Sequence, residues 1–333
     1  MKITHLLVLL ILFVSCKAQK DISEVSPAKY AKVIEVGSLK SKLYTFASDE
    51  FEGRGTGQNG QKKAARYLKN FYESIGVGAP LKDGNYFQKV PGEYFKNRVP
   101  DSDNVLAFIE GDGTTEEIFV ISAHYDHLGK KGDVIYNGAD DDGSGSVAVM
   151  EIANAFQEAV NDGYTPKRGI LFLHLTAEEK GLLGSNYYSV YPVLPLENTV
   201  ANLNIDMVGR IDEAHEANPN YIYLIGSDRL STELHELSEK VNQDYVNLNL
   251  DYKYNEKDDP NRFYYRSDHY HFAKHDIPVI FYFNGVHEDY HQETDTPDKI
   301  NYELLQKRAK LIFHTAWEIA NRDERPFVDN PTK

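Results

Sequence analysis

Residues 138–145 read Gly-Ala-Asp-Asp-Asp-Gly-Ser-Gly, three consecutive carboxylates between glycines, and the apolar helical run Val147, Ala148, Val149, Ile152, Ala153 and Phe156 follows at once. Three adjacent anions repel one another, so a fold that gathers them at the head of an apolar helix must supply positive charge. The nearest basic residues in sequence are Lys130 and Lys131, which leaves a bound cation as the economical source. A divalent cation needs ligands from several segments. Four more segments end hydrophobic, strand-like runs with such residues: His124-Tyr125-Asp126 after 118–123, Glu178-Glu179 after 170–176, Asp206 after 200–205, and His291 after 279–283. Each stands where an α/β sheet places its functional loops, beyond the carboxyl ends of its strands. Two imidazoles among several carboxylates suit zinc better than calcium or magnesium, which prefer all-oxygen shells. The pattern reads as a two-zinc site.

These residues carry a family resemblance. The stretches AHYDHLG (123–129), GADDDGSG (138–145), TAEEKGLLGS (176–185), NIDMVGR (204–210), RSDHYHF (266–272) and DYHQETDT (289–296) together resemble the co-catalytic zinc aminopeptidases of the bacterial leucyl aminopeptidase type, over about residues 38–322. Six motifs in one order are specific where any one alone is weak. The resemblance implies that one zinc takes His124 and Asp206, the other Glu179 and His291, and that Asp141 bridges the two. It implies Glu178 as general base and Tyr264 as hydrogen-bond donor to the tetrahedral oxyanion. Asp126 is placed to accept the second ring N–H of His124 and fix its tautomer, and Asp295 to do the same for His291. Asp140 and Asp142 read as supporting residues. His127, His174, His215, His235, His269, His271, His275 and His287 read as structural histidines.

The alternation of strand and helix after Ala139 is that of an α/β fold: a single domain with a mixed, mostly parallel central sheet covered by helices on both faces. Helical spacing marks 38–50, 61–75 and 300–322, and β-like runs mark 86–99 and 104–110. Gly55 to Gly60 spells G-x-G-x-x-G, but a charged segment after a helix precedes it instead of a strand, so it reads as a turn between helices and not as a dinucleotide site. The polar stretches 207–220 and 251–267 read as long loops that wall the active site. Only a turn separates the second β-like run from 118–123, so no inserted lid domain is expected.

Lys2, the apolar run 6–14 and Ser15-Cys16 read as a signal peptide (1–15) with a lipid-modified Cys16, a tether over 16–37, the peptidase domain over 38–325 and a short tail over 326–333. Cys16 is the only cysteine, so the exported protein has no internal disulfide. The net charge is −15, which argues against nucleic acid and anionic membrane surfaces as partners, the membrane being reached only through the lipid. The expected partners are peptide substrates.

Three other readings compete. A glutaminyl cyclase shares the implied fold but usually works with one zinc. A carboxypeptidase needs a cation for the terminal carboxylate, which Arg54, Arg210, Arg262 or Arg266 could supply. A calcium-dependent binding lipoprotein would use the acidic loop, yet an EF-hand alternates its ligands and these aspartates are consecutive.

Overall fold

The computed structural model describes residues 25–331. The signal segment 1–15, Cys16, residues 17–24 of the tether and residues 332–333 of the tail lie outside the described residues. In chain order the helices are α1 (Ala28–Ala31), α2 (Val36–Phe46), α3 (Asn59–Ile75), α4 (Gly145–Asn161), α5 (Leu183–Val190), α6 (Thr232–Val241), α7 (His269–Ala273) and α8 (Tyr302–Asn321). The strands are β1 (Phe87–Val90), β2 (Ser102–Ile109), β3 (Ile118–His124), β4 (Gly129–Lys131), β5 (Val134–Tyr136), β6 (Gly169–Leu175), β7 (Thr199–Ile205), β8 (Tyr221–Ile225), β9 (Asn249–Asp251) and β10 (Val279–Phe283).

Eight strands form one sheet in the order β1-β2-β6-β3-β7-β10-β8-β9, and β4 and β5 make a separate hairpin. The central run β6-β3-β7-β10 is parallel throughout. Antiparallel pairs join β2 to β6, β1 to β2 and β8 to β10, which gives the mixed, mostly parallel sheet of an α/β domain. Every residue of β3, β6 and β7 is buried, as expected where both faces of a parallel sheet are covered. Alternation then sorts side chains into two layers. Phe119, Ile121, Ile170, Phe172, Leu203 and Ile205 pack with the long helices α4 and α8, while Val120, Leu171, Leu173 and Leu175 face the layer of α5 and α7. Among the described residues no helix is long and apolar enough to cross a membrane.

Three local expectations differ from the structure. The run 86–99 supports a strand only over Phe87–Val90, because Pro91 has no N–H for a ladder and the chain turns at 91–97. Gly55 to Gly60 does lie between two helices, but α3 starts inside it, at Asn59. Residues 28–34 are not a tether. Tyr30, Ala31 and Ile34 are buried, Tyr30 stacks on Trp317 with ring centroids 5.6 Å apart, and its hydroxyl donates to Asp162 at 2.9 Å. The spacing i, i+1, i+4 gives this short segment one apolar face, which its flanking charged residues obscure in the sequence.

This packing predicts that a chain beginning at Val36 is less stable than one beginning at Val25. Loss of the buried Tyr30 and Ile34 side chains should cost about 3–5 kcal/mol in chemical denaturation. Equal midpoints would mean that the segment contributes nothing to the core.

Candidate metal centre

The four parallel strands deliver the ligand-type side chains to one edge of the sheet. His124 is the last residue of β3, Asp206 follows β7 directly, Glu178 and Glu179 lie three and four residues beyond β6, and His291 lies on the loop after β10. Asp141 comes from the turn 139–144, which enters α4 after a cis peptide between Asp141 and Asp142.

Asp141 stands between two clusters. Its Oδ1 is 3.1 Å from His124 Nε2, which in turn lies 3.6 Å from Asp206 Oδ1 and 4.0 Å from Glu178 Oε2. Its Oδ2 is 3.0 Å from His291 Nε2, which lies 3.3 Å from Glu179 Oε2. Donor atoms of His124, Glu178 and Asp206 fall within 4.8 Å of one another, as do those of His127, Asp141 and Glu179. The five residues that the resemblance nominates as ligands therefore lie together, joined by Glu178 and by His127, which the sequence reading set aside as structural. Nitrogen and carboxylate donors in this mixture fit zinc.

The charges of the centre call for a cation. Burial and the neighbouring Asp206, Glu179 and Asp268 push the Glu178 carboxyl well above the usual carboxylate range, against the pull of His124. Burial and Asp141 push Glu179 up too, but His127 and His291 beside it outweigh them and hold it at about 2. The His291 ring loses solvation by burial, yet Asp141 and Glu179 raise it to about 10. With only its own side chains, the protein balances these carboxylates by protonating imidazoles. Bound cations displace such protons.

The supporting shell corrects two expectations. Asp126 does not fix the His124 tautomer through its carboxylate, which is 3.9 Å from Nδ1; its backbone carbonyl does so, at 3.0 Å. The Asp126 carboxylate instead accepts the backbone N–H of Glu178 at 3.1 Å and the Thr56 hydroxyl at 2.6 Å. Asp295 is turned away from tautomer duty as well, accepting the backbone N–H groups of Asp140 and Asp141 at 3.0 and 3.2 Å. Asp140 accepts from Gly209 N–H and Ser144, and Asp142 from the N–H groups of Gly145 and Met207, so both tie the turn to the loop after β7. A chain of buried hydrogen bonds runs from Asn202 to Ser122, Asn204, Ser267 and finally Asp206, whose Oδ2 accepts from Ser267 at 2.6 Å. Arg54 brings the positive charge that the local sequence lacks. Fully buried, it donates to the carbonyls of Phe46, Tyr125, Asn137 and Gly138, and desolvation lowers its pKa to about 10 against the field of Asp142, Asp295 and Asp141.

Tyr264 is set apart from the pocket at these carboxylates. Its ring lies under the Arg229 guanidinium at 4.0 Å and borders a surface cavity with Asp259 and Arg262. The tyrosine that does line the pocket of Asp141, Glu178 and Asp206 is Tyr290, its ring stacked on His291 at 3.9 Å. Burial and the field of Asp141, Asp206 and Glu179 raise the pKa of its hydroxyl, so it stays a proton donor. Its place directly before His291 was the available sequence signal. Met207, Phe263, Phe281, Phe283 and Val286 make the apolar wall of this pocket, with Arg266 at its edge. Met207 and Phe263 come from the two polar loops expected to wall the site. Val286 also borders a neighbouring cavity of about 980 Å³ that carries Glu213, Glu216 and Glu288.

Comparison with known proteins agrees with this geometry. The sequence profile of peptidase family M28 matches residues 104–316. Leucine aminopeptidase 1 of Trichoderma harzianum is 28% identical over 326 residues, covering 92% of this chain and 76% of that enzyme. Three other curated relatives are longer, and the match spans 65%, 40% and 36% of their lengths. Among solved structures, the LapA aminopeptidase of Legionella pneumophila superposes with a TM-score of 0.71 at 24% identity, over 94% of this chain and 79% of that one. A zinc aminopeptidase from Bacillus subtilis gives 0.66 at 17% identity, over 89% and 98%. A glutaminyl cyclase from Bacteroides thetaiotaomicron gives 0.63 at 17%, over 85% and 98%. These similarities to solved structures establish the fold, and the profile match over most of the described residues establishes the lineage: the chain belongs to peptidase family M28.

Proposed function

We propose that this protein is a zinc-dependent aminopeptidase that removes N-terminal residues from peptides at a centre of two zinc ions. The observation that supports it most directly is the division of Asp141, one oxygen toward His124 and the other toward His291, with Glu178 beside the first group and a pocket that joins Asp141, Glu178 and Asp206 to an apolar wall. His124 and Asp206 would hold one ion, Glu179 and His291 the other, and Asp141 both. Zinc bound there polarises the scissile carbonyl and lowers the pKa of the attacking water from about 15.7 toward 7.

Glu178 is the general base in this reading. It takes a proton from the attacking water and returns it to the leaving amine, and Asp126 holds it in position through the Glu178 backbone N–H. Positive charge at the centre brings Glu178 back to the ionised form that this role requires. Tyr290, not Tyr264, is the tyrosine positioned to donate to the developing oxyanion. A free α-amine would find surplus carboxylate at the same edge, which favours an exopeptidase. The N-terminal pattern supports export with a lipid on Cys16. Detergent partitioning of the mature protein tests that part, since recovery in the aqueous phase without an acyl mass shift would remove it.

The reading is tested on purified protein lacking residues 1–19 with aminoacyl, N-blocked and N-terminal glutaminyl peptides, with zinc measured on the same sample. Free N-terminal amino acids should appear, blocked peptides should resist, and chelation should abolish turnover. Glu178→Gln should lower kcat by about 10²–10⁴-fold with zinc content retained. Cyclisation of the glutaminyl peptides in place of hydrolysis would transfer the protein to the cyclase class. Tyr290→Phe should lower kcat by about 10²-fold at unchanged zinc content, while Tyr264→Phe leaves kcat within about twofold. The reverse result would return the oxyanion role to Tyr264.

A further inference from the structure

We propose that His127 is an additional protein ligand of the metal position formed by Asp141, Glu179 and His291, acting through Nδ1, so that the two positions of the centre are chemically unequal. The inference rests on the two-zinc reading above and goes beyond the five ligands that reading assigns.

The ring of His127 is fully buried and is held by its own backbone. The His127 N–H donates to Arg54 O at 3.2 Å, and the residue forms a β-bridge with Gly55. Gly138, at φ +54°, makes room for the ring, because a Cβ there would lie 2.5 Å from its Cγ and Cδ2. The ring therefore occupies a built slot at the head of the acidic turn. From that slot Nδ1 lies 2.8 Å from Glu179 Oε1 and 3.8 Å from Asp141 Oδ2.

The 2.8 Å ion contact lacks the alignment of a hydrogen bond: Nδ1, Nε2 and Glu179 Oε1 are all buried, and none has a hydrogen-bond partner of good geometry. Leaving such groups unsatisfied is costly. A cation held among the donor atoms of His127, Asp141 and Glu179, which lie within 4.8 Å of one another, would remove that cost. Zinc bonds of about 2.0–2.2 Å place neighbouring tetrahedral ligands about 3.3–3.5 Å apart, and the separations of 2.8 and 3.8 Å bracket that edge. His291 Nε2, at 3.0 and 3.3 Å from Asp141 and Glu179, meets the same condition from the open side.

With His127 included, this position has four protein donors: His127, Glu179, His291 and one oxygen of Asp141. The other has three, His124, Asp206 and the second oxygen of Asp141, with Glu178 next at 4.0 Å. Fully protein-ligated zinc sites are retained tightly, whereas three-donor sites keep a vertex for substrate. An ion held at His127 would then be the retained one, and an ion held at His124 would exchange first, with a vertex left for substrate.

The test is zinc binding by the full domain, independent of turnover. Wild-type protein dialysed against a graded series of chelator should lose its two ions in two steps, passing through a plateau at one. In His127→Gln and His127→Ala the plateau should vanish, with the affinity of the tight position weakened by at least about 10–100-fold. Cobalt-substituted protein at one ion per chain should change its visible spectrum in both variants. Gln keeps the size and an N–H donor, so recovery of wild-type retention by Gln but not Ala would overturn ligation in favour of a hydrogen-bonding role. Unchanged plateaus in both variants would overturn the proposal outright. Metal-free thermal midpoints identify a variant that merely misfolds, and a wild type that binds no zinc would overturn the two-zinc reading itself.

Discussion

The carboxyl edge of the sheet depends on how a crowd of buried carboxylates is made tolerable. Asp126, Asp140, Asp141, Asp142 and Asp295 are all buried, and removing an ion from water costs several kcal/mol unless charge and hydrogen bonds return it. The protein meets this demand in layers. Asp140, Asp142 and Asp295 are stabilised by backbone N–H groups of the turn itself and of the loop after β7. Arg54 adds a buried cation whose own donors go to four carbonyls, so it contributes field without capping any one carboxylate. Asp141 and Glu179 are left to imidazoles, of which His124 and His291 have their pKa values raised by the carboxylates beside them.

The division of labour explains why the supporting residues are as specific as the donors. Asp126 binds the Glu178 N–H while its carbonyl sets the His124 ring, so one residue couples the proposed base to a proposed ligand across two strands. Ser267 plays the matching part for Asp206 at the end of a polar chain that crosses β3 and β7 inside an otherwise apolar sheet. Polar residues in so apolar a layer are costly when unpaired, and each of these finds at least one partner in the next. Here they run in one line toward the site.

Much of this architecture is legible in the residues. The mostly apolar runs that become β3, β6 and β7, each ended or closely followed by a ligand-type residue, place the edge of the sheet where the chemistry collects, because parallel strands buried on both faces admit little else. The acidic turn announces a cation, and six motifs in one order resemble one family. The short apolar face of Tyr30, Ala31 and Ile34 was harder to see, since a single helical turn carries too few repeats to stand out from a linker.

Sequence periodicity thus carried the central strands, the long helices α2, α3, α4 and α8 and the neighbourhood of the centre, since these follow from local hydrophobic spacing and from where strands end. It could not decide between chemically equivalent residues a few positions apart. Which tyrosine lines the pocket, where the His127 ring lies relative to Glu179, and whether Asp126 meets His124 through its carboxylate or its carbonyl all depend on how segments distant in sequence pack together. Arg54 is the plainest case. No local pattern connects it with the three aspartates, and only the packing of the α2–α3 turn against the end of β3 brings its charge among them.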